Sequence, residues 1–277
     1  MYKLIACDLD ETLLTTDKGV SETNKEAIRK VEEAGIKFVI ATGRGIEDVK
    51  TTSAAIDQDG REGEYVISFN GGAVTENKEN EFLFTNPLTF EFADELYQIG
   101  QKYDVSIHVY TKEDLYIYNY KDAERAHLEP EIEVIETFEK DLDFLADEEI
   151  IKIIFMNEDH DYLEKIESDL SEILGDCDVS YSSNRYLEFN RKGANKGAAL
   201  EYLAAHLGIA MSETLVIGDN FNDHSMFKVA GLSVGVENMR EELREEVDYI
   251  TEATNDEHAV AEVIDRFILS PAKIKSQ

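Results

Sequence analysis

Two stretches from opposite ends of the sequence concentrate oxygen ligands in the same kind of place. Asp8-Leu9-Asp10-Glu11-Thr12 follows the short apolar run Lys3–Ala6, and Asp219-Asn220-Phe221-Asn222-Asp223 follows the run Thr214–Gly218. If both runs are strands of one open α/β sheet, these groups stand at its carboxyl edge, where such sheets bind ligands. Asp8 and Asp10, two apart in extended chain, are expected to project to the same side. Adjacent carboxylates repel, so they call for a cation or a shared proton. A hard dication such as Mg2+ suits them, because it binds through one or two carboxylates plus the oxygens of a phosphorylated ligand. One acidic strand end is a common solvated turn, but two that converge make a cation site. Thr42-Gly43-Arg44 follows the run Ile36–Ala41 and offers a hydroxyl, backbone N–H groups and a glycine that permits close approach, the parts of a phosphoryl-binding turn. Lys196, at the start of an expected helix, adds a point charge. Taken singly, a Thr-Gly turn and a helix-start lysine are ordinary structural features.

The elements that must position these residues are legible in outline. Ser21–Glu33 reads as a helix, with Ser21 as N-cap and Gly35 as the stop. Ile36–Ala41 is a continuous β-rich run of the kind found in strands covered on both faces. A helical stretch from Ile46 to about Ala55, the strand Tyr65–Phe69 and a turn at Asn70-Gly71-Gly72 follow. This βαβαβ order predicts a doubly wound, Rossmann-like parallel sheet. The pattern returns near the end, with a helix over Asn195–Leu207, the strand Thr214–Gly218, and a helix over Asn222–Val229. Short strands at Leu232–Val236 and Tyr249–Ile250 and a helix from about His258 to Phe267 close it.

Between these halves the texture changes to paired strands, Val105–Tyr110 with Leu115–Tyr118 and Val179–Ser183 with Tyr186–Phe189, punctuated by helices at Phe90–Tyr103 and Tyr162–Leu174. Residues 85–190 are therefore expected to form an α+β cap domain inserted between core segments 1–84 and 191–277. Pro87 and Arg191-Lys192-Gly193 would be the hinges, and Ser270–Gln277 a frayed tail. Tyr110, Tyr116, Tyr118 and Tyr120 are expected to pack the inserted sheet.

Composition excludes several classes. With 60 acidic and 27 basic residues the formal charge is −33, which argues against nucleic acid and anionic membranes as partners. No apolar run approaches the ~20 residues of a membrane span. The N-terminus reaches acidic residues too soon for a secretory signal, so a cytoplasmic location is expected. Only two cysteines, Cys7 and Cys177, are present, far apart and without metal-type spacing. Cys7 adjoins Asp8, yet in a strand it faces the core when Asp8 faces the site.

In chain order DLDETL, IATGR, the lysine of NKG and GDNFND resemble the four motifs of the haloacid dehalogenase superfamily. More narrowly, the chain is similar to Cof-type phosphatases, which carry a large α+β cap of the C2B kind between the second and third motifs. GDNFNDHSMFKVAG followed by VENM carries that narrower likeness. A departure is Glu257-His258-Ala259, where an Asp-Gly pair is the family pattern, and it touches local loop detail. The resemblance implies that Asp8 attacks phosphorus to form an aspartyl phosphate. It implies that Asp10 protonates the leaving oxygen and then deprotonates the hydrolytic water. It further implies that Asp8, the Asp10 carbonyl and Asp219 hold Mg2+. Thr42, Lys196, Asn222 and the N–H groups of Leu9 and Gly43 would bind phosphoryl oxygens, and Asp223 would orient Lys196 or stand in the metal's outer shell.

The implied ligand is a small organic phosphate, with sugar phosphates first and phosphorylated cofactors next. The sequence leaves a phosphomutase or phosphotransferase with the same intermediate open, and more remotely a phosphoryl-accepting signalling module. His224 reads as a surface histidine at a helix start. Arg185, at a hairpin tip with Asn184, and Arg191 with Lys192 are candidates to meet the far end of the substrate, with solvated charge an equally good reading. Oligomeric state is not legible.

Overall fold

The computed structural model describes residues 1–128, 132–182 and 184–270, which divide into two compact units, 1–84 with 195 onward and 85–194. The first part of the chain gives β1 (Leu4–Cys7), α1 (Glu22–Glu33), β2 (Lys37–Ala41), α2 (Ile46–Ala55), β3 (Tyr65–Ser68), β4 (Ala73–Glu76) and β5 (Glu81–Thr85). The middle gives α3 (Phe90–Gly100), β6 (Ser106–Tyr110), β7 (Leu115–Tyr118), α4 (Asp122–Arg125), β8 (Val134–Thr137), β9 (Lys152–Met156), α5 (His160–Leu170), β10 (Cys177–Ser182) and β11 (Tyr186–Arg191). The last part gives α6 (Lys196–His206), β12 (Thr214–Gly218), α7 (His224–Val229), β13 (Leu232–Gly235), β14 (Tyr249–Ile250) and α8 (Ala259–Ile264).

In the first unit an eight-stranded sheet runs in the order β14-β13-β12-β1-β2-β3-β4-β5. It is parallel from β14 to β3, and β4 turns back antiparallel on β3. Alternation along the buried strands feeds two separate cores. Ile5, Cys7, Phe38, Ile40, Leu215 and Ile217 pack on one face with Ile28 and Val31 of α1 and Val260 and Val263 of α8. Leu4, Ala6, Val39, Ala41 and Val216 pack on the other with Leu200 and Leu203 of α6 and Met226 and Phe227 of α7. Cys7 thus faces the core and is fully buried. Helix α1 starts where its cap dictates, with the Ser21 hydroxyl accepting from the Asn24 N–H, and stops at Gly35 with φ +78°.

The second unit is a six-stranded sheet, order β10-β11-β9-β6-β7-β8, antiparallel except for the β7–β8 pair. Its apolar face, with Ile107, Val109, Ile153, Phe155, Leu187 and Phe189, is covered by Leu96 and Tyr97 of α3 and Leu163 and Ile166 of α5. Tyr116 and Tyr118 pack against this core, whereas Tyr120 lies under the Arg125 guanidinium and Tyr110 beside Lys152.

Several elements differ from expectation. Strands β4, β5, β8 and β9 are additional, α6 begins at Lys196 with Asn195 as its cap, and Phe221–Asp223 forms a 3-10 turn ahead of α7. The last helix begins at Ala259 because His258 adopts a left-handed conformation, φ 73° and ψ 41°, and its ring Nδ1 lies 2.9 Å from the Ser21 hydroxyl. Ser183, placed in a strand from the sequence, lies outside the described residues, as does the tail from 271 on. Among the described residues no helix is long and apolar enough to cross a membrane.

Candidate active site

Strands β12, β1 and β2 are consecutive neighbours in the sheet, so their carboxyl ends bring three motifs together. Cys7 is level with Ile217 and Ile40, and the Asp8 N–H donates to the Ile217 carbonyl at 2.9 Å. Asp8 and Asp219 therefore leave adjacent strand ends, and Thr42 leaves the third. The carboxylates of Asp8, Asp219 and Asp223, all buried, place one oxygen each within 4.8 Å of one another. Lys196, which has no exposed surface, donates from Nζ to Asp8 Oδ1 at 2.5 Å and to Asp223 Oδ1 at 2.7 Å. Helix α6 delivers it there, and Gly197 permits the approach, because a Cβ at that position would lie 2.4 Å from the Ser225 carbonyl oxygen of α7. Gly218 does the same for the acidic loop, since its Cβ would lie 2.5 Å from the Asp223 carboxyl.

Asp223 also ties the loop down, with Oδ2 accepting from the N–H groups of Asp219 at 2.9 Å and Asn220 at 3.1 Å. Thr12, fully buried, donates to Asp219 Oδ1 at 2.8 Å. Three carboxylates thus face one ammonium, and the imbalance shows in the proton affinities of Asp8 and Asp219. Burial, then the charge of Asp223, pushes Asp8 well above the carboxylate range despite Lys196. Burial and Asp223 likewise push Asp219 up to about 7. Burial alone would lower the Lys196 pKa, but the charges of Asp223 and Asp8 outweigh it and raise it. A compact, buried, all-oxygen donor set with excess negative charge fits a hard dication.

Asp10 goes elsewhere. Strand β1 ends at Cys7, and the chain then winds through a turn over Leu9–Leu13 in which Glu11 has φ 59°, so strand alternation no longer governs side-chain direction. The neighbours that crowd Asp8 are Asp219 and Asp223, not Asp10 as the two-residue spacing suggested. The Asp10 carboxylate instead accepts from Arg44 Nε at 2.9 Å and Nη2 at 2.7 Å, and from Lys18 Nζ at 2.9 Å. Burial raises its pKa, but the hydrogen bonds and charges of Arg44 and Lys18 outweigh that and leave it below the usual value. Asp10's carboxylate lies outside the acidic cluster of Asp8, Asp219 and Asp223.

The remaining candidates are spread unevenly. Thr42 is buried, its hydroxyl accepts from the Arg44 N–H at 3.1 Å, and its carbonyl accepts from the Asn70 N–H at 2.9 Å. Asn222 donates to the Asn70 side chain at 3.1 Å, and a Cβ on Gly43 would lie 3.1 Å from that same Asn70 oxygen. Asn70 thus joins the second and fourth motifs, a role the sequence reading assigned only as a turn. Leu9 is buried in the turn after Asp8. In the second unit Arg185 donates to Glu124 at 3.0 Å, and Lys192 donates to the Gly175 carbonyl at 2.8 Å. Glu124 is fully buried and also accepts from the Tyr186 hydroxyl at 2.8 Å. His224 is partly exposed, 3.5 Å from Glu246.

Thr12, Lys18 and Asn70 were missed, and so was the role of Arg44. Thr12 and Arg44 adjoin recognised motif positions, but nothing in the spacing signals Lys18.

Residues 5–264 match the haloacid dehalogenase-like hydrolase family. The chain belongs to that family. Among haloacid dehalogenase-like hydrolases it is 32% identical over 269 residues to a Streptococcus pyogenes protein named a "putative phosphatase", covering 97% of this chain and 99% of that one. It is 27% identical over 271 residues, 96% of each chain, to the Bacillus subtilis 5-amino-6-(5-phospho-D-ribitylamino)uracil phosphatase YcsE. The crystal structure of a haloacid dehalogenase-like hydrolase from Bacteroides thetaiotaomicron superposes with a TM-score of 0.86 at 31% identity, over 97% of this chain and all of that one. The fold is that of a haloacid dehalogenase-like hydrolase with a cap domain, and the enzyme is a phosphatase.

Proposed function

We propose that this phosphatase hydrolyses small organic phosphate monoesters with Mg2+ as cofactor, through an aspartyl phosphate on Asp8. The observation that carries the reading is the buried set of Asp8, Asp219 and Asp223 around Lys196, which holds more negative charge than one ammonium offsets. Held by Asp8, the Asp10 carbonyl and Asp219, Mg2+ would supply Lewis-acid stabilisation of charge on the transferring group.

The chain's own residues do the rest. The Asp8 carboxylate forms a bond to phosphorus as the bond from phosphorus to the leaving oxygen breaks. Asp10, which Arg44 and Lys18 hold ionised in the resting site, takes up a proton as the substrate binds, gives it to that oxygen, then takes one from the water that attacks the aspartyl phosphate, which frees Asp8 and inorganic phosphate. Lys196, the Thr42 hydroxyl, the Asn222 amide and the N–H groups of Leu9 and Gly43 hold the phosphoryl oxygens. Asp223, hydrogen-bonded to Lys196, keeps its ammonium in line.

The substrate class proposed is a sugar phosphate or phosphorylated cofactor, in keeping with the phosphoribitylamino substrate named for the B. subtilis relative. Residues 85–190 are proposed to be the inserted cap that selects among such substrates. Arg185 would contribute through its pair with Glu124, and Lys192 through the segment it ties to Gly175. Phosphate release from a panel of small monoesters, with Mg2+ and with EDTA, tests the reading. Turnover that survives chelation undiminished overturns the metal requirement, and a panel without any hydrolysed ester overturns the substrate class.

A further inference from the structure

The Asp10 carboxylate is held by two cations, Arg44 and Lys18, neither of which takes part in a step of the chemistry above. Arg44 Nη2 at 2.7 Å and Lys18 Nζ at 2.9 Å both donate to Oδ1, whereas Oδ2 accepts from Arg44 Nε alone at 2.9 Å. Lys18 is presented by a built turn. Its backbone has φ 63°, a left-handed conformation that carries a cost for any residue with a Cβ. The Lys18 N–H donates to the Thr15 carbonyl at 2.8 Å, the Thr15 N–H donates to the Gly19 carbonyl at 2.9 Å, and Leu14 bridges to Val20. A distant segment fixes the base of this turn. Asp256 accepts from the Thr16 N–H at 2.8 Å and the Thr16 hydroxyl at 2.7 Å, and the Asn255 amide donates to the Leu14 carbonyl at 2.9 Å. A lysine reaching Asp10 by chance from a surface loop would need none of these restraints.

The geometry points to Lys18 as a positioning residue for Asp10. With Arg44 it gives Oδ1 two donors against one on Oδ2, so Oδ2 is the oxygen that keeps a lone pair for the transferred proton. In the first step that proton passes from Oδ2 to the leaving oxygen as its bond to phosphorus breaks, and in the second Oδ2 takes a proton from the attacking water. The inference rests on the acid–base role proposed for Asp10. Lys18 and Asp10 side chains are 60% and 40% exposed, so the pair contributes little to stability and its effect is one of orientation.

The test compares kcat/KM for an alkyl phosphate, whose leaving group needs a proton, with that for nitrophenyl phosphate, whose leaving group does not. Lys18→Met should lower the alkyl-to-aryl ratio roughly 2- to 5-fold, the scale of one exposed ion pair. Lys18→Arg should restore it, and Lys18→Met added to Asp10→Asn should change the ratio no further. If Lys18→Met slows both esters by a common factor, the lysine is structural or binds phosphate, and the inference falls. If it lowers the ratio equally in the Asp10→Asn background, it contacts the leaving group directly, and the inference falls again. If Asp10→Asn itself leaves the ratio unchanged, the acid role of Asp10 is wrong, and Lys18 has nothing to position. An unchanged ratio in Lys18→Met, with a lowered one in Asp10→Asn, rejects only the role of Lys18.

Discussion

In the metal-free protein, Asp219→Asn should increase stability, and the gain should grow with pH. Asp219 is 3% exposed, and burial together with the Asp223 charge lifts its pKa from 3.8 to about 7. The folded protein therefore holds a proton on Asp219 between about pH 4 and 7, where the unfolded chain has released it. Stability from this group is fully present below about pH 4 and is lost as pH rises through about 7. At about 1.4 kcal/mol for each pH unit between the two values, the charged form costs at most about 4 kcal/mol above pH 7. Asparagine keeps the oxygen that accepts from Thr12 and removes the charge. His108 opposes this trend in the same window. Buried and held down to about 3, it stays neutral where the unfolded histidine binds a proton, so its contribution is present above about pH 6.5 and lost as pH falls towards 3. The difference between wild type and Asp219→Asn, not the raw profile, is thus the quantity to follow. Urea unfolding in EDTA at pH 4.5 and pH 8 should show a small gap at the lower pH and a gap of roughly 2 to 4 kcal/mol at the higher. Saturating Mg2+ should stabilise the wild type more than the variant, because binding to the folded state adds RT ln(1 + [L]/Kd). A variant no more stable than wild type in EDTA at pH 8, or an equal gap at both pH values, would refute the argument from charge imbalance.

Asp10→Asn should slow the first step for an alkyl ester by ~10²–10⁴-fold. The same variant with nitrophenyl phosphate should give a near-normal burst of nitrophenol and then slow phosphate release, and equal slowing of both esters would remove Asp10 as the acid. Gly218→Ala should cost roughly 1 to 3 kcal/mol in denaturant unfolding and depress turnover, since the new methyl would lie 2.5 Å from the Asp223 carboxyl that holds Lys196. Wild-type stability and rate would contradict that packing. Arg185→Met should lower stability by roughly 3 kcal/mol, because it strips a buried carboxylate of its cation. It should also reorder the natural substrates relative to nitrophenyl phosphate, and a uniform fall across the panel would deny Arg185 any selective role.

Strands buried on both faces were the easiest elements to read. Thr214–Gly218 matches residue for residue, because a parallel strand covered on both faces shows itself as an unbroken β-rich run. Tyr249–Ile250 matches too, although it is a partly buried edge strand. Strand β9 is equally apolar, but its partners β6 and β11 are distant in sequence, so no hairpin turn announces it. Strands β4 and β5 follow turns with positive φ at Asn70 and Glu79, and β5, though rich in Phe, is half exposed throughout, so no alternation marks it. At the site, residues at strand ends and a helix start (Asp8, Thr42, Lys196, Asp219) were legible because sheet order alone brings them together. Lys18, Arg44 and Thr12 were not, because their partners depend on how the chain turns after Asp8, and that path is set by the left-handed Glu11 and the restraints on the following turn.

The proposed mechanism turns on passage of the phosphoryl group through Asp8. Brief exposure to a labelled phosphate monoester with Mg2+, an acid quench and peptide mapping test it most directly. Base-labile label should appear on the peptide containing Asp8, absent in EDTA and absent from a folded Asp8→Asn protein that no longer turns over. Label on another residue, or turnover by Asp8→Asn at the wild-type rate, would contradict it.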